Sequence, residues 1–416
     1  MPALTAETSY APPTLADIQA AHEIVKQAAI RTPLVHAPKL SELTGADIFV
    51  KYENMQVTNS FKDRGASVKL SALAKAGGTH GVIAMSAGNH AQSVAYHARR
   101  VGLPATIIMP EGTPFVKVAR TKSHGARVVL EGDTLIECRP AVDRIMADEG
   151  LTLVHPYDDP LVMAGQGTIG IELMEDMADL DALVIPIGGG GLISGITLAA
   201  KAVKPDIKIY GVETKLYPSM HAAVNGYPPA FGGDTLAEGI AVKTVANTAI
   251  DIVRKSIEDI LLVSEDAIEA AVYAYLVEQK TLAEGAGAAP LAALLEYPNV
   301  FQGQRVGLIL CGGNIDPRVL SSIAVRALER EDRIISLRVT IRDRPGVLGL
   351  IASLVGRHGG NIIEVSHHRL HLNVPATAAT LDVTFEARDA AHGDAIVETI
   401  RDEGMPVMRL PAISGH

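Results

Sequence analysis

The chain has 416 residues, which at about 150 residues per domain predicts two or three domains. Hydrophobic residues make up 48% of it and charged residues 20%, the balance of a folded globular protein. The net charge of −10 and the lack of tryptophan argue against the basic, aromatic-rich surfaces that bind nucleic acids. Two cysteines, Cys138 and Cys311, are too few for a disulfide framework and lack the spacing of a zinc site.

No Lys or Arg precedes Lys26 and the N-terminal stretch has no apolar run, so we expect no signal peptide and a cytoplasmic location. One uncharged stretch, residues 183–200, reaches the length of a membrane-spanning helix. It also contains Pro186 and five glycines, four of them consecutive. A strand, a glycine loop and a helix explain this pattern better, so no membrane association is predicted.

From about residue 80 onward, short apolar runs alternate with helical patterns. Predicted strands cover residues 82–85, 105–109, 127–130, 151–154, 182–187, 207–212 and 306–310. Helices are expected between them, for example over 89–101 and 265–279. Strands that are apolar throughout predict a parallel sheet buried on both faces, and therefore an α/β fold. Ligands in such folds bind beyond the carboxyl ends of the strands.

The pattern changes at the charged cluster 329–333, which we interpret as a linker. Beyond it, apolar and polar residues alternate in predicted strands, and two helical segments lie between them. The predicted strands are 335–341, 362–367, 381–385 and 407–410, and the helices are 345–358 and 391–403. This βαββαβ order over roughly 80 residues predicts a separate ferredoxin-like domain.

Two polar motifs stand at predicted helix starts. Lys62 lies in Ser60-Phe61-Lys62-Asp63-Arg64-Gly65-Ala66, and a single lysine in such a context is usually only a solvated side chain. Ser86-Ala87-Gly88-Asn89-His90 joins a strand to a helix, where free backbone N–H groups suit a carboxylate or phosphate. The alternative for this second motif is a plain turn capped by Ser86 or Asn89.

Two glycine motifs follow later strands. Gly188-Gly189-Gly190-Gly191 opens a helix, and such a loop can approach a phosphate closely. Ile193 and Ser194 break a dinucleotide-binding GxGxxG pattern, and Ile196 replaces the lysine of a nucleotide-binding loop, so a smaller phosphate ligand is expected. The alternative is a tight packing turn. In Cys311-Gly312-Gly313-Asn314, Cys311 is either a small buried residue or an S–H donor to a ring nitrogen.

Taken together, the four motifs offer an amine for an aldehyde, a glycine loop for a phosphate and a contact for a ring nitrogen, which fits pyridoxal phosphate. In this order they resemble the fold-type II pyridoxal-phosphate enzymes (the tryptophan synthase beta-like family), and within them the threonine dehydratases, or threonine ammonia-lyases. The resemblance covers about residues 15–328. The last 80 or so residues resemble an ACT domain, a small amino-acid-sensing module, through Asp343-Arg344-Pro345-Gly346-Val347-Leu348.

The resemblance implies a two-lobed open parallel-sheet fold, with a large lobe over 1–52 and 155–330, a small lobe over 53–154 and a C-terminal ACT regulatory domain over 333–416. It also implies the site. Lys62 would bind the cofactor covalently and act as the catalytic base. The other cofactor-binding residues would be Phe61 on the ring, Asn89 at the 3′-oxygen, Gly188, Gly189, Gly190, Gly191 and Leu192 at the phosphate, Gly239 near the ring and Cys311 at the ring nitrogen. The substrate carboxylate would meet Ser86, Ala87, Asn89 and His90.

The implied reaction is β-elimination of water and deamination of L-threonine to 2-oxobutanoate and ammonia, and of L-serine to pyruvate. In the related serine racemases a serine that protonates the opposite face of the substrate stands where this chain has Ala87, so elimination is predicted over racemisation. Asn59 replaces a glycine found in many relatives. The open alternatives are a lyase for another β-hydroxy amino acid such as 3-hydroxyaspartate, a serine racemase, and a non-catalytic amino-acid sensor.

Relatives often bind a cation near the residue that matches Glu213, but Tyr217 and Ser219 stand where a further carboxylate is expected, so no metal is assigned. His367-His368-Arg369-Leu370-His371 is interpreted as a polar strand face. The expected partners are a small amino-acid substrate, an effector such as isoleucine or valine at the turn 344–346, and further copies of the chain in a homodimer or homotetramer. The resemblance implies a role in amino-acid metabolism, either in isoleucine biosynthesis or in catabolism.

Overall fold

The computed structural model describes residues 10–369 and 378–410. The chain forms two compact units, Met1–Ile315 and Asp316–His416. The helices of the first unit are α1 (Leu15–Ala28), α2 (Pro38–Thr44), α3 (Lys62–Ala76), α4 (Asn89–Arg100), α5 (Phe115–Ser123), α6 (Arg139–Glu149), α7 (Pro160–Asp176), α8 (Gly191–Val203), α9 (Ser219–Asn225), α10 (Asn247–Ser256), α11 (Glu265–Glu278), α12 (Gly285–Glu296) and α13 (Pro298–Phe301). Its strands are β1 (Leu34–His36), β2 (Asp47–Lys51), β3 (Val82–Met85), β4 (Ala105–Met109), β5 (Arg127–Leu130), β6 (Thr152–Leu153), β7 (Ala182–Pro186), β8 (Lys208–Thr214), β9 (Asp259–Val263) and β10 (Arg305–Ile309).

Two sheets organise the first unit. The larger has six strands in the order β1-β2-β10-β7-β8-β9, and its neighbours are parallel except for the antiparallel pair β1 and β2. The smaller has four strands in the order β5-β4-β3-β6, all parallel. The predicted α/β fold with largely parallel sheets is therefore confirmed. The strands β3, β4 and β7 are apolar because helices cover both faces of a parallel sheet.

The helix that begins at Lys62 is held in place by an unusually close contact. A Cβ atom on Gly165 of α7 would lie 2.6 Å from the Cα atom of Gly65 of α3, so only glycine allows the two backbones this approach. A Cβ atom on Gly195 of α8 would likewise lie 2.4 Å from the carbonyl oxygen of Met163. Because α3, α7 and α8 pack so tightly, the first turn of α3 has a fixed position.

The second unit contains α14 (Pro317–Arg330), β11 (Ile334–Arg342), α15 (Val347–Arg357), β12 (Asn361–His368), β13 (Ala378–Glu386), α16 (Ala390–Asp402) and β14 (Val407–Arg409). From β11 onward this is the predicted βαββαβ order, and the strands form an antiparallel sheet in the order β12-β13-β11-β14. Leu370 and His371 lie outside the described residues.

The charged cluster 329–333 differs from its interpretation as a linker. Its first two residues are the last turn of α14, and the N–H of Arg333 donates to the carbonyl of Leu328 at 2.8 Å. The whole segment Asp316–Arg330, which the sequence prediction placed with the large lobe, falls in the second unit. The charges mark the exposed end of a helix that Asp316 caps at its start, where its carboxylate accepts the N–H of Arg318.

Candidate active site

A cavity of about 990 Å³ lies in the first unit, where strands β3, β7 and β10 end at their carboxyl termini. It is lined by every residue that the sequence predicted for the site, namely Phe61, Lys62, Ser86, Ala87, Asn89, His90, Gly188, Gly189, Gly190, Gly191, Leu192, Gly239 and Cys311. Residues far apart in the sequence meet here because the carboxyl ends of β3, in the smaller sheet, and of β7 and β10, in the larger sheet, border the same cavity.

Lys62 begins α3 on the wall of this cavity. The segment before it is fixed by an antiparallel bridge between Ser60 and Gly312, and the N–H of Phe61 donates to the carbonyl of Cys311 at 3.0 Å. The Nζ atom of Lys62 donates to the carbonyl oxygen of Pro156 at 2.7 Å. Burial lowers the pKa of Lys62 to about 8, although Cys311 and Glu284 act in the opposite direction. At pH 7 roughly a tenth of this amine is therefore neutral, far more than for an exposed lysine.

The two residues after Lys62 are structural. The Asp63 carboxylate accepts the hydroxyl of Thr58 at 2.6 Å and its N–H at 3.0 Å, which ties the loop to the helix. The guanidinium of Arg64 is fully buried and pairs with Glu53 at 2.7 Å and with Glu172 at 2.7 Å. These contacts fix the first turn of α3 on the side away from the cavity, and Lys62 faces the cavity.

The turn after β3 provides a neutral imidazole and open N–H groups. Gly88 is the N-cap residue of α4, so no N-cap side chain accepts the first N–H groups of this helix. The Nε2–H of His90 donates to the carbonyl of Val154 at 2.8 Å, which fixes the tautomer of the ring. Burial, and next the positive charge of Lys62, lower the pKa of His90 to about 3. At neutral pH His90 therefore adds no charge to the site.

The loop after β7 requires its glycines. A Cβ atom on Gly189 would lie 2.2 Å from Cγ of Tyr157, and one on Gly190 would lie 2.4 Å from Cβ of Ala249. Gly190 also has a φ of +97°, in the left-handed region that favours glycine. A Cβ atom on Gly191 would lie 2.9 Å from the carbonyl of Tyr157. The loop is thus a bare backbone cradle at the start of α8, the arrangement that binds an anionic group.

Sequence reasoning missed two polar residues of the site. The carboxylate of Glu284 accepts the Nδ2–H of Asn89 at 2.7 Å, and Nδ2 of Asn314 donates to Oδ1 of Asn89 at 2.8 Å. Burial raises the pKa of Glu284 to about 7. The signal for Glu284 was its position directly before Gly285-Ala286-Gly287 at the start of α12, whereas Asn314 stood within a recognised motif without a role.

A second missed group lies between β6 and α7. The hydroxyl of Tyr157 donates to the carbonyl of Thr244 at 2.8 Å, and its ring lies directly against Gly189. The Nδ1 atom of His155 accepts the N–H of Asp158 at 2.8 Å, and burial lowers the pKa of His155 to about 4. These residues carry no motif that would have revealed them, since their contacts are with segments distant in the sequence.

The Glu213 region uses its carboxylate within the protein. The two oxygens accept the N–H groups of Met220 and His221 at 2.8 and 2.9 Å, and burial raises the pKa of Glu213 to about 7. The Tyr217 hydroxyl donates to the carbonyl of Gly233. Within residues 10–369 and 378–410 no group of three or more His, Cys, Asp or Glu side chains is placed to hold a metal ion.

Comparison with known proteins identifies the family. The model of the pyridoxal-phosphate dependent enzymes matches residues 25–312, which span the cavity wall from Lys62 to Cys311. The chain belongs to the pyridoxal-phosphate dependent enzymes. Its cofactor is accordingly pyridoxal phosphate, as predicted.

Individual relatives of known activity resemble this chain along most of their length. An L-threonine ammonia-lyase of Thermotoga maritima is 40% identical over 396 residues, covering 95% of this chain and 98% of the relative. Among solved structures, a threonine deaminase of the organism abbreviated T.th. is 36% identical with a TM-score of 0.69, covering 73% of this chain and 99% of that one. A serine racemase of Dictyostelium discoideum is 32% identical with a TM-score of 0.68, covering 73% and 99%.

The cavity fits pyridoxal phosphate in its donor set. Lys62 supplies a partly neutral amine for the aldehyde, and the glycine loop 188–191 presents bare backbone at the start of α8, where an added Cβ atom would collide with Tyr157 or Ala249. Cys311 is buried, and burial raises the pKa of its thiol, so the thiol is neutral, as its predicted contact with the ring nitrogen requires. The individual roles of these residues stay predictions.

Among the helices of the described residues none is long and apolar enough to span a membrane.

Proposed function

We propose that this pyridoxal-phosphate enzyme removes water from L-threonine and releases 2-oxobutanoate and ammonia, and that it converts L-serine to pyruvate in the same way. The observation that carries the proposal is Lys62, whose amine meets the neutral carbonyl of Pro156 at 2.7 Å in a cavity with a glycine cradle. The Thermotoga maritima relative, which matches 95% of this chain, is an L-threonine ammonia-lyase, and this supports the proposed substrate.

Each part of the cavity has a separate role in this reaction. Bound through Lys62, pyridoxal phosphate supplies an electron sink that makes the α-proton of an amino acid acidic. The N–H groups at the start of α4 bind the substrate carboxylate, and the glycine loop binds the phosphate. Once the substrate amine has replaced it on the cofactor, the freed Nζ atom of Lys62 would take the α-proton, which its lowered pKa permits. The β-hydroxyl would take up that proton and leave as water, and hydrolysis of the released enamine gives the 2-oxo acid and ammonia.

Racemisation is the weaker alternative for this site. The serine racemase of Dictyostelium discoideum shares the fold of the first unit, so the overall shape does not distinguish the two activities. Ala87 lines the cavity and presents a methyl group, which cannot deliver a proton to a second face. We therefore favour elimination.

A second candidate substrate is 3-hydroxyaspartate, because cationic residues also line the cavity. Lys117 lies on the wall but pairs with Glu238 at 2.5 Å. Arg120 lines the cavity as well, and its guanidinium donates to Oδ1 of Asn314 over a long distance of 3.4 Å. A guanidinium with so weak a partner suits a second carboxylate.

Substrate competition tests these proposals. The values of kcat/KM for L-threonine, L-serine and 3-hydroxyaspartate should be measured on the full chain, together with ammonia release and the chirality of unreacted serine. The highest value for L-threonine with no D-serine formed supports the proposal. A highest value for 3-hydroxyaspartate would transfer the function to that substrate.

We propose further that the second unit is an ACT regulatory domain. Its support is the βαββαβ order with the sheet order β12-β13-β11-β14 and the turn before α15, where Gly346 has a φ of +91°. The match to the Thermotoga maritima relative covers 95% of the chain and therefore extends into this unit. Isoleucine or valine added to the full chain should change the kinetics, and unchanged kinetics with both would leave the unit without this role.

Assembly and location complete the proposal. Small domains of this topology can pair through their sheet edges, so we propose a homodimer or homotetramer. Light scattering on the purified chain measures its mass directly, and a monomer at assay concentration would contradict this expectation. We place the enzyme in the cytoplasm, and fractionation of the source cells tests that location.

A further inference from the structure

Glu284 is an ionisable residue that touches Asn89 yet has no part in the reaction described above. It is the N-cap residue of α12, and its carboxylate accepts the Nδ2–H of Asn89 at 2.7 Å as well as the main-chain N–H of Asn314. A Cβ atom on Gly312 would lie 2.3 Å from its Oε1 atom. Glycine at position 312 therefore leaves the room that this carboxylate occupies.

A chain of hydrogen bonds fixes the direction of the Asn89 amide. The carbonyl oxygen of Thr58 can only accept, so the NH₂ group of Asn314 must face it, at 2.8 Å. The second N–H of that group then donates to Oδ1 of Asn89 at 2.8 Å. As a result the NH₂ group of Asn89 points toward Glu284, which has to act as the acceptor.

This arrangement leaves one N–H of Asn89 for the cavity. An amide NH₂ group has two hydrogens, and Glu284 takes only one of them. Asn89, Glu284 and Asn314 all line the cavity. The remaining N–H is the donor that the 3′-oxygen of pyridoxal phosphate would meet if Asn89 has its predicted role.

We propose that Glu284 is a positioning residue whose ionised carboxylate holds the Asn89 amide so that its free N–H faces the 3′-oxygen of the cofactor. The proposal rests on the cofactor shared by the family and deepens the proposed function. Loss of the carboxylate frees the amide to rotate and weakens the contact with the cofactor.

The ionisation of Glu284 makes this positioning depend on pH. Burial raises its pKa to about 7, against the effect of the two N–H groups that it accepts. The charged and titratable groups around it are Lys62, Cys311, Glu238 and Lys117. Above pH 7 the carboxylate is ionised and accepts strongly, and below pH 7 the protonated group accepts weakly. Cofactor affinity should accordingly fall as the pH drops through the pKa of Glu284.

The test measures cofactor binding separately from turnover. The dissociation constant of pyridoxal phosphate is measured by equilibrium dialysis for the wild type, Glu284→Gln and Glu284→Ala across pH values on both sides of the pKa. Glu284→Gln keeps an acceptor but cannot ionise, so it should bind about tenfold more weakly than the wild type at high pH and equally well at low pH. Glu284→Ala lacks any acceptor and should bind more weakly than Glu284→Gln throughout.

The control is Glu265→Gln, which changes a glutamate that also stands at a helix start and accepts a main-chain N–H, that of Leu236 at 2.8 Å, outside the cavity lining. It should keep the wild-type pH dependence. The proposal is overturned if Glu284→Gln keeps the wild-type pH dependence. It is also overturned if Glu284→Asp, which retains an ionisable carboxylate, loses that dependence. Ammonia release from L-threonine is assayed in parallel, because its absence with the expected binding pattern would contradict the proposed function and leave the role of Glu284 intact.

Discussion

The two units bury very different residues. The first unit encloses an ionic network in which Arg64 pairs with Glu53 and Glu172, and Lys51 pairs with Glu172 at 2.6 Å. The core of the second unit is hydrocarbon, with Leu337, Val339, Ile351, Leu381, Val383, Phe385, Ile396 and Ile400 at its centre. Thr380 is the only buried polar side chain among the described residues of the second unit.

The difference between a buried ionic network and an apolar core indicates which part of each unit can carry a function. Burying charges costs free energy unless each is paired, and replacing such pairs by apolar residues is often neutral or stabilising. The network under Lys62 is therefore poorly explained by stability and well explained by the need to fix the first turn of α3. An apolar core needs no such explanation, so any role of the second unit has to lie on its surface.

The strongest test of the first unit is Lys62→Ala. Loss of the covalent link and of the base should reduce ammonia release by at least about a thousandfold and abolish the visible absorption of the bound cofactor. The matched control is Lys75→Ala, in the last turn of the same helix, where an exposed lysine is removed. A yellow, active Lys62→Ala enzyme would refute the assignment of the catalytic lysine.

The buried network gives the next largest effect. Arg64→Met leaves Glu53 buried without its ion-pair partner and Glu172 paired with Lys51 alone, and it should reduce the free energy of unfolding of the first unit by about 3–5 kcal/mol. Arg338→Met in the second unit removes a similar two-pronged pair with Asp382, at 2.7 and 2.6 Å, on a partly exposed strand face. Its loss should be much smaller, because solvent screens that pair. Denaturant unfolding of both variants measures the contrast, and equal losses would contradict it.

Much of the fold followed from the sequence because its signals are local. The apolar runs of β3, β4 and β7 and the alternation in β11 and β13 each show their exposure pattern within a few residues. The strands β1, β2 and β9 were not predicted, and β1 and β2 precede the regular alternation of strands and helices. The charged cluster 329–333 resembles a linker in sequence because an exposed helix end and a linker have the same composition.

The site shows the same limit more clearly. Its motif residues were recognisable because each group is continuous in the sequence, as in Ser86–His90. Glu284 was not recognisable, since its meaning depends on Asn89, 195 residues away. Tyr157 gains its role from contact with Gly189 and Thr244, which the local sequence does not reveal. Side chains that act through long-range contacts therefore need the structure.

The glycine loop offers a test of intermediate size. In Gly189→Ala the new methyl group would lie 2.2 Å from Cγ of Tyr157, so the ring must move and give up its bond to Thr244. Such overpacking costs about 1–3 kcal/mol, and cofactor affinity should fall by roughly ten- to hundredfold. Gly112→Ala is the control, because a Cβ atom there meets nothing within 4 Å. Unchanged cofactor binding in Gly189→Ala would argue against a phosphate at this loop.

The smallest expected change is a gain. In Ala87→Ser a hydroxyl replaces a methyl group on the cavity wall, and a hydroxyl can donate a proton where a methyl group cannot. D-serine should appear from L-serine, whereas ammonia release should change by only a few-fold, since Lys62 and the glycine loop are untouched. Chiral chromatography of the unreacted serine measures the gain. Ser86→Ala is the matched control, because it removes the neighbouring hydroxyl, which accepts the N–H of Gly88 at 3.2 Å, and should form no D-serine. If Ala87→Ser forms none either, position 87 does not face the second side of the substrate, and the preference for elimination has to arise elsewhere in the cavity.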